Sequence, residues 1–406
     1  MSRTTNRTDS MAINDAAKGG YSVEKAVLER YQAGAKQVEA ALCCPITDYD
    51  GQYLKILPDE ILEKDYGCGD PSVYVNEGDT VVDLGSGAGK ICYILAQKVG
   101  RNGKVIGVDF NDEMLGLARK YQQEIADQIG YHNTQFVKGR IQDLALDLNK
   151  VESHLVDHPV TNMDDVLAYE AECDRLRKDE PMISDGTVDA VVSNCVLNLV
   201  RTDQKKQLFD EIFRVLRKGG RAIISDIVCD ETPTSRIIND PDLWSGCIAG
   251  AFREDEFLKM FEDAGFHGVE ILARAEEPWH VIDGIEFRSM TVRAYKGKQG
   301  PCLERNQAVI YKGPWKKVVD DDGHTLIRGE RMAVCDKTYN LYSDPTGPYG
   351  GTIIGLQPMN IIPLDDAQPM SCHGKPTRTP REMKGEDYDL TQMSGEDCCG
   401  PDGNCC

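Results

Sequence analysis

The sequence predicts an α/β fold, a mainly parallel sheet with helices on both faces, in the middle of the chain. Two observations predict it. Between residues 79 and 296 short apolar runs alternate with amphipathic helical stretches, and parallel strands require crossovers of that length. The first run ends in a glycine-rich turn that leads directly into a helix, and open sheets of this kind build a ligand crevice outside such strand ends.

In chain order, Thr80-Val-Val-Asp-Leu84 is the first strand, followed by a helix through Leu95. Val105-Ile-Gly-Val-Asp109 is the second, and Met114, Leu115, Leu117 and Ala118 open the next helix. Phe136-Val137, Val188 to Ser193 and Arg221 to Asp226 continue the series. The helical pattern over 203–218 is expected to stop at Gly219-Gly220, because glycine tolerates the left-handed conformation of a helix end. A helix over 254–264 and strands near 267–274 and 286–296 close the block.

Around it the chain divides by composition. Residues 1–20 are polar and expected to be disordered. Residues 21–78 carry a helical pattern (Val23, Val27, Leu28, Tyr31) and then a turn-rich segment. Residues 79–296 form the α/β domain, interrupted at about 145–185 by an acidic stretch that reads as an inserted helix or lid. Residues 297–363 are short β-like runs, a smaller C-terminal α+β or β-rich domain, and 364–406 is a flexible, cysteine-rich tail.

Composition excludes several classes. The 406 residues include 46 Lys+Arg and 67 Asp+Glu, a net charge of −21. A polyanion is repelled by nucleic acid and by anionic membrane surfaces. No run reaches the ~20 apolar residues of a spanning helix, and Met1 to Lys18 lacks the apolar core of a secretory signal. A cytoplasmic monomer acting on a small molecule is the expectation. Fifteen cysteines, an odd number, argue against a secreted disulfide scaffold. Three adjacent pairs, Cys43-Cys44, Cys398-Cys399 and Cys405-Cys406, suit soft-ion capture or redox chemistry better than burial.

The glycine loop reads Asp83-Leu-Gly-Ser-Gly-Ala-Gly89, with Lys90 where a dinucleotide fingerprint has its third glycine. Asp109 ends the next strand, where a carboxylate can accept both ribose hydroxyl hydrogens. Asp83 adds a negative charge beside the loop, which disfavours a pyrophosphate and suits a sulfonium that carries an ammonium group.

These residues resemble the class I S-adenosylmethionine (SAM)-dependent methyltransferases over roughly residues 78–296. Val81 to Gly89 matches the first family motif, and Arg214-Val-Leu-Arg-Lys-Gly-Gly220 the turn before the fifth strand. The resemblance implies a Rossmann-like sheet of seven strands, the last antiparallel, with SAM across the strand ends. Asp83, Gly85, Ser86, Gly87 and Gly89 would hold the methionine moiety and Asp109 the ribose. Met114 would cover the adenine, Gln142 or Asp143 would reach its amine, and Tyr66, Ile141 and Asn194 complete the implied cofactor set.

The acceptor must come from outside the fold. Cys68 precedes the first strand, Cys195 follows the fourth in Ser193-Asn-Cys195, and Cys247 lies in Trp244-Ser-Gly-Cys247. Three thiolates around an open position make a trigonal soft-ion site. With Cys43-Cys44, Tyr66-Gly-Cys68 and Asn198-Leu199, this constellation resembles the arsenite methyltransferases. There the cysteines matching Cys68, Cys195 and Cys247 hold trivalent arsenic, one of the N-terminal pair (Cys44) assists, and a thiol reductant such as glutathione or thioredoxin is a co-substrate. Glu29-Arg-Tyr-Gln32 and the long 145–185 stretch depart from the family pattern.

Two rival readings stand beside it. A small-molecule C- or O-methyltransferase on a lipid or sterol-like acceptor requires a His or Glu base in an apolar pocket. A thiol-rich soft-metal sensor or buffer leaves the glycine loop and Asp109 unexplained. Cys92 and Cys229 read as core residues, Cys173, Cys302 and Cys335 stand alone in the sequence, and Cys372 lies in Met-Ser-Cys-His-Gly of the tail. The tail end, Cys398 to Cys406, could gather soft ions or exchange disulfides.

Overall fold

The computed structural model describes residues 23–36, 49–64, 67–371 and 377–385. The chain forms two compact units. The first comprises the described residues up to Ala264 together with Val269–Ala294, and the second Gly265–Gly268 with the residues from Tyr295 onward.

The first unit is built on one sheet: β1 Thr80–Leu84, β2 Lys104–Asp109, β3 Thr134–Lys138, β4 Val188–Asn194, β5 Leu216–Cys229, β6 Phe252–Arg253, β7 His267–Arg274, β8 His280–Ile282 and β9 Ile285–Tyr295. Its order is β3-β2-β1-β4-β5-β9-β7, with the short β6 beside β5 and β8 beside β9. Strands β1 to β5 pair in parallel. β9 runs against β5: Ser225 faces Thr291 across 2.8 Å while Asp230 N donates to Glu286 O, so numbers rise on one strand as they fall on the other. The seven-stranded path of the resemblance is therefore present, with two short strands added. Strand order reverses between β1 and β4, which places the crevice at their C-terminal ends.

Burial explains why these runs are strands. Val81, Val82 and Leu84 of β1 and Ala190, Val191 and Val192 of β4 are fully covered, as strands roofed on both faces require. Helix Asp112–Lys120 starts where the Asn111 side chain accepts from Glu113 N and Met114 N, and it carries acids in its first turn and bases in its last, favourable against the helix dipole. The acidic insert holds two helices, Leu148–Asp157 and Met163–Asp179, the second opened by an Asn162/Asp165 capping box.

One expected boundary moves. The helix before β5 is Lys205–Val215, and it ends on an extended Leu216 rather than at the glycines. Leu216 pairs with Val188, the register then shifts, and pairing resumes at Arg221 with Ala190. Gly219, at φ 82°, serves the turn inside that bulge. Leu216 is fully buried in that position.

In the second unit, strand Ala308–Tyr311 pairs with Arg331–Ala333 and Ile353–Leu356, and Lys317–Val319 with Thr325–Ile327. A helix not expected among the β-like runs, Asp336–Ser343, buries Thr338, Tyr339 and Tyr342 on one face. Its polar residues hide that stripe. Ordered structure also extends past residue 363: Gln368–Pro369 pairs with Leu303–Glu304, and helix Pro380–Lys384 has a Thr379/Glu382 capping box and a buried Met383. The tail expected to be flexible thus contributes packed elements. Its terminal cysteines, Cys372 and the N-terminal segment 1–20 lie outside the described residues.

Candidate active site

At the C-terminal ends of β1, β2 and β4 lies a cleft of about 1130 Å³, counting its open mouth. The turn after β1 forms one wall. Gly85, Gly87 and Gly89 have φ of 69°, 52° and 90°, a region closed to most side chains. At Gly85 a Cβ would also collide with Val196. Asp109 is buried, and its two oxygens accept from Gly87 N and Asn111 N at 2.9 Å. Burial holds its pKa above the ordinary carboxylate value, opposed by those backbone bonds. Asp83 is buried and accepts from the Cys92 thiol at 3.2 Å. Burial, then the Asp83 charge, lift Cys92 well above the usual thiol range, so it remains the donor.

Two buried polar atoms in this wall, Ser86 Oγ and Asn111 Nδ2, have no hydrogen-bond partner among the described residues, and both residues line the cleft. Such orphans are costly unless a ligand satisfies them. A cradle with two carboxylates, glycine backbone and unsatisfied polar atoms fits a nucleoside bearing a cationic amino-acid tail.

A cluster of cysteines adjoins the cleft. Cys68, Cys195 and Cys247 are buried in one cluster with Trp244, Ile248 and Phe287, and Cys195 lines the cleft. One donor atom each from Cys68, Cys195 and Asp226 lies within 4.8 Å of the others. The Cys247 thiol donates to Cys195 O at 3.1 Å, and the Tyr31 hydroxyl lies 4.0 Å from it.

Long-range bonds hold these three loops. Asn194 Oδ1 accepts from Cys68 N and Gly69 N at 2.8 and 2.9 Å, and its amide nitrogen donates to Gly69 O. Glycine is required there, because a Cβ on Gly67 would strike that amide. Cys195 N donates to Ser225 O, while Asn198 Nδ2 donates to Ile227 O at 2.7 Å and Cys247 O at 3.1 Å. Asp226 accepts from the amides of Leu197, Asn198 and Ile227. Cys195 and Cys247 themselves adopt φ of 65° and 62°, conformations that persist only where the surroundings over-determine them.

The electrostatics favour neutral thiols. A hydrogen bond with Cys195, then burial, raise the Cys247 pKa well above normal. Cys195 is pulled down by Cys247, but its bond with Cys68 and burial outweigh this, and it too is raised. Burial pushes Asp226 up to about 6, against its backbone donors and Lys205. Burial lowers Lys205 to about 8. Its ammonium donates to Gly250 O and sits 3.7 Å over the Phe252 ring.

Asp83, Gly85, Ser86, Gly87 and Asp109 thus line the cleft, as do Met114, Ile141, Gln142 and Asn194. Gly89 instead packs beneath the turn, where a Cβ would meet Phe136, Tyr93 and Ala118. The Asn194 amide serves the Cys68 loop. Gln142 Nε2 donates to Gln204 Oε1 at 3.0 Å. Tyr66 and Cys44 lie outside the described residues. Sequence reasoning missed Asp226, Lys205 and the Cys92–Asp83 bond. The signal available was Ser225-Asp226, two polar residues inside the otherwise apolar stretch Ala222–Cys229 of β5.

A methyltransferase-domain family model matches residues 75–179 and 171–265, and one described as a domain of unknown function matches residues 298–388. The chain is 28% identical to an arsenite methyltransferase of Aquipseudomonas alcaligenes over 76% of this chain and 84% of that one. It is 34% identical to one of Halobacterium salinarum, over 53% of this chain and 45% of the relative. The crystal structure of an arsenic(III) S-adenosylmethionine methyltransferase from Chlamydomonas reinhardtii aligns with a TM-score of 0.51 at 26% identity, covering 75% of this chain and 94% of that one. Sheet order, glycine turn and carboxylate pair together with these likenesses define a class I SAM-dependent methyltransferase. Within that class the relatives and the solved structure it resembles are arsenite methyltransferases. None of its described helices is long and apolar enough to cross a membrane.

Proposed function

We propose that the chain transfers the SAM methyl group to trivalent arsenic held by Cys68, Cys195 and Cys247, with Cys44 assisting. The observation that carries this reading is the buried cluster holding Cys68, Cys195 and Cys247, with Cys195 opening into the cleft that Asp83 and Asp109 line. Arsenous acid would exchange its three hydroxyls for three thiols and release three waters. Neutral thiols supply the needed protons, so their raised pKa values do not oppose loading. The three sulfurs would leave the arsenic lone pair at the fourth corner, from which it would attack the methyl carbon in line with the departing sulfonium sulfur. Holding both reactants in that line is worth up to about 7–11 kcal/mol.

SAM supplies the electrophilic methyl. Asp83 binds its ammonium, Asp109 the ribose hydroxyls, Met114 the adenine face and Gln142 the adenine amine, while Ser86 and Asn111 satisfy their spare polar atoms on the ligand. No general base is required, because the lone pair carries no proton. Methylation oxidises arsenic from III to V, and a thiol reductant such as glutathione or thioredoxin returns the two electrons. The biological outcome would be arsenic biotransformation and detoxification.

The lining also speaks against a lipid-type acceptor: no His or Glu is among the described residues of the cleft. Incubation with arsenite, SAM and a thiol reductant tests the reading. Methylated arsenic and S-adenosylhomocysteine should accumulate together. Thermal shifts add a second discrimination: stabilisation by both SAM and arsenite supports the proposal, by SAM alone a lipid-type enzyme, and by arsenite alone a thiol buffer.

A further inference from the structure

We infer that Asp226 completes the three-cysteine pocket as a tetrahedral Zn²⁺ site, so that Zn²⁺ and trivalent arsenic compete for the same thiols. The inference rests on the reading of those thiols as the arsenic site.

The geometry points this way. The donor atoms of Cys68, Cys195 and Asp226 lie within 4.8 Å of one another, and all three residues are buried. Cys247 lies outside that group of three but beside it, its thiol donating to Cys195 O at 3.1 Å. Zinc binds sulfur at about 2.3 Å and carboxylate oxygen at about 2.0–2.2 Å in a tetrahedron. Three donors are already gathered this closely, and rotation of the Cys247 side chain would supply the fourth.

Asp226 is aimed rather than loose. Its Oδ2 accepts from Leu197 N at 2.8 Å and Asn198 N at 3.3 Å, and its Oδ1 from Ile227 N at 2.8 Å. A carboxylate has about four acceptor positions, so one remains for a cation. Trivalent arsenic has no use for that fourth donor, since its lone pair occupies the corner. A tetrahedral cation does. Binding forms three Zn–S bonds and one Zn–O bond, releases three thiol protons to water and moves no electrons. Lys205, buried and electrostatically coupled to Asp226 and Cys247, offsets part of the resulting negative charge.

The test uses the full chain in steady-state methylation of arsenite with added Zn²⁺. Inhibition should be competitive with arsenite. Asp226→Asn should raise the ratio of the Zn²⁺ inhibition constant to the arsenite KM by about ten-fold or more, whatever happens to kcat. Should that variant fail to fold, Co²⁺ added to the unaltered chain provides the readout. Intense tetrahedral thiolate bands should appear, be bleached by arsenite, and weaken in Cys195→Ser. Non-competitive Zn²⁺ inhibition, an unchanged ratio in a folded Asp226→Asn, or Co²⁺ bands indifferent to arsenite would overturn the inference. Absence of arsenite methylation without any Zn²⁺ would instead overturn the proposed function.

Discussion

Among the described residues both units bury polar atoms without a partner. In the first, Ser86 Oγ and Asn111 Nδ2 open on a cleft, while others, such as Asn133 Oδ1, do not. In the second, unsatisfied atoms face packed backbone. A Cβ on Gly297 would lie 2.8 Å from His267 Nε2, and one on Gly355 would collide with Ser343 Oγ. The charged groups of the second unit also pair among themselves. Asp320 accepts from His324 and Tyr342, Arg305 bonds to Asp336, and Arg378 bonds to Glu304. Unsatisfied polarity marks a ligand site where it opens on a cleft, and tight packing where it does not.

The largest expected effect separates the cysteines of the two units. Cys195→Ser or Cys247→Ser should slow methylation of both arsenite and a monomethylated arsenical by about a thousand-fold or more, since either substrate needs two sulfurs. Cys68→Ser should spare the monomethylated substrate. Cys335→Ser, whose thiol lies 3.3 Å from Thr338 Oγ1 at the start of a helix, should leave kcat within about two-fold. Equal losses in all four variants would erase the distinction.

Next is the cofactor wall. Asp109→Ala removes a buried charged acceptor, a loss of roughly 1.5–3 kcal/mol. Calorimetry should show SAM binding about ten- to hundred-fold weaker, with arsenite affinity little changed. Unchanged SAM affinity would refute the ribose role.

A pH experiment reads the second unit. Burial lowers the His267 pKa to about 4, from about 6.5 in an unfolded chain. Between those values the unfolded state binds the proton and the folded state does not, so stability falls as pH drops from 6.5 toward 4 and is flat above. The loss is about 2 kcal/mol by pH 5. Hydrogen exchange in the second unit should record it, and His267→Gln should flatten it.

The smallest effect tests the bulge in β5. Gly219 has φ 82°, yet a Cβ there would meet nothing closer than 3.5 Å. Gly219→Ala should therefore cost only the backbone penalty, about 1 kcal/mol in urea unfolding. No change would mean that the turn tolerates a side chain.

The strand–helix alternation, the glycine turn and Asp109 were legible from local periodicity and spacing, and the three cysteines from the segments that resemble the arsenite methyltransferases. What stayed hidden depends on residues far apart in sequence. Leu216 leaves its helix because Val188 is there to pair with it. Asn194 lines the cleft, and its amide also holds the loop of Cys68, 126 residues away, which its sequence neighbours do not announce. Cys92 reads as packing filler until its thiol is placed against Asp83, and Asp226 is silent until the turn after β4 brings Leu197 N and Asn198 N to it. Helix Asp336–Ser343 escaped notice because its buried stripe is two tyrosines and a threonine.

Arsenic K-edge X-ray absorption on the chain loaded with one equivalent of arsenite tests the central claim most directly. The account predicts three sulfur neighbours and no oxygen for the unaltered chain, and two sulfurs with one oxygen for Cys195→Ser. An oxygen-rich shell, or one that Cys195→Ser leaves unchanged, would contradict it.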